Sequence, residues 1–471
     1  MKIAVLNTIE IPDTSERTME ATFLTKGNLG LNPNQQLANM GQYFIKSNAG
    51  VLKDFGVNCD ISFTEKKVAL RLRTSSTVGA FPLVSPSSGK HEIGMIIKPR
   101  FGWSGIGSVL GIAGWKVVPK LLRLPLLTKS ERKIPPWVLS LTLLPRIEKL
   151  LQHLHRKFDF QEQEISTPRG QVDWTKYALH KVGSFKMLEV PCRFPSLQYN
   201  EELKSAIHYT LLLHLHSLQT QGTSGAVVFR LINYCQDLIK KVVECQAMKP
   251  PPTFFDRWNR VPIQSDAFRE GIQTIQWTVD ERGLAGLGEL EGIPWMMHME
   301  KFFEGWLETL VKRVALLSGG IVKSGRLKQT VAPISWHPPF LGSQRSLIPD
   351  LVVEKEDQVF IFDAKYKHHW EEIRESSWAN VGENLKEQHR YDIFQVLGYS
   401  TLFPNKKITA CLVYPCSERT WRSLKNRGRL SHRASMGYGE RQVNLILTAI
   451  PMAGIIDQLV VEIIEILKQA T

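Results

Sequence analysis

Residues 347–367 read LIPDLVVEKEDQVFIFDAKYK, two short apolar stretches around a charged turn. Asp350 stands on the first stretch, and Asp363, Ala364 and Lys365 close the second. These residue types can act together in phosphodiester hydrolysis. That reaction needs an attacking water and stabilisation of the charge that builds on phosphorus. A divalent cation lowers the pKa of its bound water and polarises the phosphate oxygens. Mg²⁺ prefers oxygen ligands and keeps several waters, so Asp350, Asp363 and the backbone carbonyl of Ala364 would suffice to hold it, with Mn²⁺ as a substitute. Lys365 would hold the attacking water or stabilise the developing charge, and a fixed donor of this kind is worth ~10²–10³ in rate. The bland alternative is a surface hairpin with a charged face, because Asp-x-Lys alone is common. Pro349-Asp350 ahead of the turn and an apolar strand running into Asp363 make the pattern more specific.

The flanking elements must position these groups. Val359 to Lys367 alternates with the period of a strand, placing Asp363, Lys365 and Lys367 on one face and Phe360, Phe362 and Tyr366 on the other. With Glu354 to Asp357 as the turn, Val353 pairs with Gln358 and Asp350 lies opposite Ile361. Asp350 is then a diagonal neighbour of Asp363, roughly 7–8 Å away. Upstream, Trp295 to Leu317 reads as an amphipathic helix with Glu300, Glu304 and Glu308 on one face and Met299, Phe302, Phe303, Trp306, Leu307 and Leu310 as its apolar stripe. Glu304 is the candidate helix carboxylate for the metal; a solvated helix charge is the plainer reading. Downstream, Gln388 to Phe403 reads as a second helix, with Asp392, Gln395 and Tyr399 on one face. Gln395 would orient the water or a phosphate there.

The order of blocks resembles McrC, the nuclease subunit of McrBC-type modification-dependent restriction systems, within the PD-(D/E)xK nuclease superfamily. The blocks are Ile93 to Trp103 (IGMIIKPRFGW), Thr167 to Leu179 (TPRGQVDWTKYAL), Cys192-Arg193-Phe194, Asn200 to Lys204, FFEGWLETL in the first helix, and IPDLVV, FIFDAKYK and DIFQVLGYS in the core, together spanning roughly Gly79 to Pro415. The family's Arg-Gly-Arg is here Arg169-Gly170-Gln171. The resemblance implies catalytic roles for Asp350, Asp363 and Lys365, supported by Glu304 and Gln395. It also implies cleavage of double-stranded DNA, and an N-terminal part that docks on a McrB-like AAA+ GTPase ring (or an ATPase) and stimulates its hydrolysis.

The 471 residues carry 59 Lys and Arg against 45 Asp and Glu, a net charge of +14, which favours a polyanionic partner over other classes. Lys367 and the run Arg419, Arg422, Lys425, Arg427, Arg429 and Arg433, with His432 and Trp421 among them, are the candidate DNA contacts; a solvated basic loop is the alternative. Six cysteines without C-x-x-C spacing speak against zinc and against a disulfide framework, as in a reducing cytoplasm. The start, MKIAVLNTIEIPD, is too short in its apolar run and too acidic for a signal peptide, and no charge-free stretch reaches membrane-spanning length.

The expected class is α/β (α+β overall), in three parts. Residues 1–125 read as a β-rich partner-docking domain with turns at Asn28-Leu29-Gly30, Thr74 to Thr77 and Ser85 to Gly89. Residues 126–252 read as a helical middle region, broken near Gly222 to Gly225 and closed by a linker at Pro250-Pro251-Pro252. Residues 253–471 read as a restriction-endonuclease-like domain, a mixed sheet flanked by helices, ending in a helix over Ile446 to Leu467. The glycines of 104–114 are one residue too long for a dinucleotide fingerprint and read as close packing or turns, and no Walker pattern precedes Gly89-Lys90. The chain is therefore expected not to hydrolyse nucleotide itself. His208, His214 and His216 read as packing or surface residues rather than metal ligands. Two other functions stay open at this point: an adaptor that activates an AAA+ NTPase with little cleavage of its own, and a stand-alone repair or recombination nuclease.

Overall fold

The computed structural model describes residues 7–25, 30, 32–64, 67–113, 117, 119–122, 124–125, 135–154, 157–179, 188–198, 201–221, 225–259, 265–280, 292–340, 342–367, 382–404, 406–438 and 441–469. Two compact units emerge: residues 1–139, 221–230 and 282–471 form one, and residues 140–220 and 231–281 the other. This division cuts across the linear thirds expected from composition, because a strand from the last third completes the first third's sheet.

In the first unit, β1 (Asn7–Pro12), β5 (Thr77–Val84), β6 (His91–Lys98), β7 (Lys120–Leu121) and β11 (Trp295–His298) form a five-stranded sheet in the order β1-β6-β5-β11-β7. A three-stranded sheet, β2 (Glu16–Glu20), β3 (Asn58–Thr64) and β4 (Lys67–Arg73), accompanies it in the order β2-β4-β3. The region expected to be β-rich also holds two helices, α1 (Pro33–Asp54) and α2 (Gly102–Ala113). Leu37, Gly41, Phe44, Asn48 and Leu52 of α1 are buried at helical spacing, facing a core of Ile9, Phe55, Phe81 and Met95. The glycines of α2 serve close packing rather than turns: a Cβ on Gly105 would lie 2.3 Å from the carbonyl oxygen of Met452.

β11 runs directly into α9 (Met299–Ser318), whose apolar stripe is buried as its period requires. The second sheet of this unit has the order β12-β15-β16-β17-β19-β18. Its strands are β12 (Ile321–Ser324), β15 (Leu351–Lys355), β16 (Gln358–Ala364), β17 (Lys407–Cys416), β18 (Ser431–Tyr438) and β19 (Arg441–Pro451). β16, β17 and β19 run parallel, and the other pairings are antiparallel, giving the mixed sheet expected. A small ribbon, β13 (Ala332–Pro333) with β14 (Ser346–Leu347), precedes β15. The helices of this part are α9, α10 (Glu383–Ser400), α11 (Glu418–Asn426) and α12 (Ile456–Lys468). The indole of Trp306 in α9 donates to the carbonyl of Pro451 at the end of β19, 3.2 Å away. The expected terminal helix is thus a strand up to Pro451 and a helix only from Ile456: Val443, Leu445, Ile446, Ala449 and Ile450 are all buried, so the strand has no polar face to reveal its period.

The second unit is not wholly helical. β8 (Lys157–Ile165), β9 (Gln171–Val172) and β10 (Val190–Gln198) form an antiparallel sheet in the order β8-β10-β9. Residues 137–279 carry the helices α3 (Trp137–Gln152), α4 (Trp174–Tyr177), α5 (Glu201–Gln219), α6 (Ala226–Lys240), α7 (Pro252–Asn259) and α8 (Asp266–Val279). Pro252 opens α7 instead of a linker, a position where a missing N–H costs nothing. His214 is buried, bonded to Ser140 at 2.9 Å and Thr278 at 3.1 Å, and burial pulls its pKa down to about 4. It is a neutral packing residue. The expected turn at Asn28-Leu29 and the break at Gly222 to Ser224 lie outside the described residues. All six cysteines are free thiols. Among the described residues, no helix is long and apolar enough to cross a membrane.

Candidate active site

The hairpin of β15 and β16 is tighter than its sequence suggests. Lys355 pairs with Gln358, and the register runs through Val353 opposite Phe360 to Leu351 opposite Phe362. The turn is Glu356-Asp357 alone, with Glu356 at φ 49°. Glu354 stays in the strand, paired with Ile321 of β12 on one side and Val359 of β16 on the other, and Lys323 meets its carboxylate at 2.7 Å. Asp350 comes to lie across from Asp363, not diagonal to it, and its Oδ2 accepts the Ala364 N–H at 2.8 Å.

Asp363 is fully buried, and its Oδ2 lies 2.6 Å from Lys365 Nζ, an ion pair that leaves this oxygen without an aligned hydrogen-bond donor. Lys365 Nζ also donates to Gln395 Oε1 of α10 at 2.8 Å, and Gln395 Nε2 donates to the Tyr399 hydroxyl at 2.7 Å. Gln395 thus sits beside Asp363 and Lys365, although the sequence separates them by thirty residues. Lys367 Nζ pairs with buried Asp392 at 2.7 Å, and Asp392 also accepts from the Tyr414 hydroxyl at 3.3 Å. Lys367, expected at DNA, therefore has an internal partner. The three glutamates of α9 go to different places. Glu300 accepts from Ser76 at 2.8 Å, Glu304 is half-buried near the aspartates, and Glu308 is buried between Lys312 at 2.6 Å and Arg326 at 2.8 Å.

Burial and the charge of Glu304 push Asp350 up to about 6, against the pull of the Ala364 N–H and Lys365. Burial and the charge of Asp350 push Asp363 up to about 7, with Lys365 opposing. Burial raises Glu304 as well, and Glu300 and Asp363 add to it. Burial favours a neutral Lys365, but the charges of Asp363, Asp392 and Asp350 outweigh it and its pKa rises. The site is a cluster of carboxyls whose proton affinity is raised first by burial and then by one another's charge.

Such a cluster suits a hard cation. Among the described residues no three His, Cys, Asp or Glu side chains already converge as a ligand cage. The donors at hand are the Asp350 and Asp363 carboxyls, with Glu304 near them. Their raised proton affinity and the orphaned Asp363 oxygen fit an ion that keeps much of its water.

One consequence is read without any metal. A carboxyl whose folded pKa lies above its unfolded value adds stability below the unfolded value, near 4, and loses it as pH rises through the folded one. In chelator the chain is expected to lose melting temperature from about pH 4 to about pH 7. Asp350→Asn keeps an acceptor for Ala364 and removes one charge. It should melt ~2–4 °C above the wild type at about pH 8, with the difference gone in acid. A lower melting temperature for the variant in alkali would contradict this electrostatic account.

The basic run divides. Trp421 is buried, Arg422 pairs with Glu418, and Lys425 pairs with Glu462 at 2.6 Å. Arg427 donates to the Ser423 carbonyl at 3.1 Å, and Arg433 donates to the Gln469 carbonyl at 3.1 Å. Arg419 and Arg429 are exposed and have no ion pair among the described residues.

Sequence reasoning missed the packing around Arg100. Its backbone N–H donates to buried Asp13 at 2.6 Å, and its guanidinium lies 4.5 Å from the Tyr366 ring and 3.1 Å from the Lys367 carbonyl. The end of the five-stranded sheet thereby clasps the chain leaving β16. The only trace in the sequence is the Pro99-Arg100 pair after an apolar strand.

No curated protein matched the sequence. Several solved chains are similar, two of them from complexes of one organism. One is a refined half-complex from a tetradecameric assembly of Thermococcus gammatolerans McrB AAA+ hexamers with bound McrC, at 14% identity over 98% of this chain and 100% of that chain, with a TM-score of 0.45. The other is a cryo-EM structure of the Thermococcus gammatolerans McrBC complex, at 14% identity over 65% of this chain and 88% of that chain, with a TM-score of 0.27. The family model for the McrBC 5-methylcytosine restriction system component matches residues 118–415, more than half of the 471. On that match, the chain belongs to the family of McrBC 5-methylcytosine restriction system components.

Proposed function

We propose that this chain is the DNA-cutting subunit of its restriction system, hydrolysing phosphodiester bonds at Asp350, Asp363 and Lys365 with Mg²⁺ or Mn²⁺. The observation that carries the reading is the facing pair Asp350 and Asp363, buried beside Lys365 and Gln395 at the end of a strand hairpin. Asp350 and Asp363, with Glu304 nearby, would hold the cation. When bound, it would supply an acidified water and polarised phosphate oxygens. Lys365 would stay cationic and stabilise the charge developing on the phosphate. Gln395, fixed by Tyr399, would orient Lys365 and the water.

Membership in a multi-component system supports a division of labour. A McrB-like AAA+ GTPase or ATPase would drive double-stranded DNA to this site, and the present chain would stimulate its hydrolysis. The purified chain is expected to cut DNA with partner, nucleotide and Mg²⁺ together, and to leave it intact when the partner is omitted. Equal cutting without partner would favour a stand-alone nuclease. Stimulated hydrolysis without DNA ends would favour a regulatory adaptor.

A further inference from the structure

The segment from β12 to β15 contains no acidic residue between Ile321 and Pro349, but holds Lys323, Arg326, Lys328 and Arg345. Lys323 and Arg326 are committed to Glu354 and Glu308. Lys328 and Arg345 are exposed and carry no ion pair among the described residues. Between them the β13 and β14 ribbon presents two aromatic rings to solvent. Trp336 is 44% exposed and Phe340 61%, and their centroids lie 6.3 Å apart, edge to face. The tip is held in place: the Trp336 indole donates to the Gln344 carbonyl at 2.8 Å, and the Ile334 N–H to the Arg345 carbonyl at 2.8 Å. The root is tied to the candidate active site. The Gly325 N–H donates to the Asp350 carbonyl at 2.8 Å, and the Thr330 hydroxyl to the Pro349 carbonyl at 2.6 Å.

The two adjacent exposed rings form one contiguous apolar patch rimmed by cations, and such rimmed patches mark contact surfaces. Uncompensated cations on the same ribbon favour a polyanion, and apolar wedges flanked by cations are how proteins unstack and bend duplex DNA. We propose that the 325–349 ribbon is a duplex-DNA contact, with Lys328 and Arg345 on phosphates and the Trp336 and Phe340 pair wedged against a base step. This inference rests on reading the adjoining carboxylates as a DNA-cutting site. The bonds from Gly325 and Thr330 to residues 349 and 350 make the ribbon the element that would set the duplex relative to Asp350.

The test uses the full chain carrying Asp363→Ala, so that DNA stays intact, and a short labelled duplex with 2-aminopurine at internal positions. Trp336→Ala with Phe340→Ala is expected to weaken binding roughly tenfold or more and to abolish the 2-aminopurine signal of unstacking. Lys328→Ala with Arg345→Ala should reduce the slope of log affinity against log salt by about 1.8, or 0.9 per phosphate contact. Lys328→Ala with Arg345→Ala should melt with the parent, since both side chains are exposed, and Trp336→Phe, which keeps a ring but loses the bond to the Gln344 carbonyl, separates loss of the ring from loosening of the tip. Unchanged affinity and salt slope in both would overturn the proposal, as would loss of partner binding with DNA binding intact, which would assign the ribbon to protein docking. The two readings fail separately. A wild-type chain that does not cut, but whose duplex binding depends on the ribbon, refutes the nuclease reading alone. One that cuts and binds duplex undiminished without the four side chains refutes the ribbon alone.

Discussion

Asp363→Ala is expected to bring DNA cutting below detection while the chain still assembles with its partner. Asp363 faces Asp350 across the hairpin, is fully buried, and holds Lys365 at 2.6 Å, so one substitution removes the proposed cation ligand and the anchor of the lysine together. Its side chain points away from the surface, and its loss should leave docking surfaces unchanged. Truncation leaves Lys365 with Gln395 as its remaining bonded partner. The comparison is made on one preparation, with DNA ends counted on a gel and complex formation read by size exclusion. Persistent cutting would remove Asp363 from the site.

Lys365→Met is the second large effect, an expected loss of ~10²–10³ in cutting rate at saturating DNA. The ammonium is cationic at neutral pH because Asp363, Asp392 and Asp350 together outweigh the cost of burial. It also lowers the proton affinity of Asp363, so without it that carboxyl should demand still more alkaline conditions to ionise. The residual activity of the variant should therefore show its acidic limb at higher pH than the wild type. Lys365→Arg should rescue little, because Asp363 and Gln395 both meet the one Nζ atom, a geometry that a planar fork does not reproduce. A methionine variant with wild-type rate and pH profile would reduce Lys365 to a structural ion pair.

Much of this site was legible because its parts are local. Asp350 and Asp363 are thirteen positions apart on one hairpin, and the β-branched and aromatic run of Val359 to Phe362 beside a charged turn marks the strand. α9 and α10 carry their helical period openly. The register was misjudged because Glu354 and Lys355 look like turn residues, and the long-range pairing of Glu354 with Ile321 of β12 has no local signal. The partner of Lys367 was hidden for the same kind of reason. Asp392 lies on another element, and nothing local distinguishes it from a surface charge. β11 could not be assigned to the first sheet, since strand pairing between Trp295 and Ala80 leaves no sequence signature. α1 is the instructive miss, as its buried positions do follow a helical repeat but lie in a stretch dominated by strand signals. The ribbon that presents Trp336 and Phe340 carried a compositional signal, a run of forty-one residues (309–349) without an acid, that periodicity alone does not weigh.

The most direct test pairs two readouts on the Asp350→Ala, Asp363→Ala double variant mixed with its AAA+ partner, nucleotide, Mg²⁺ and DNA. The account predicts that the partner's nucleotide hydrolysis is stimulated as by the wild type while no DNA ends appear. DNA ends accumulating at the wild-type rate would contradict it.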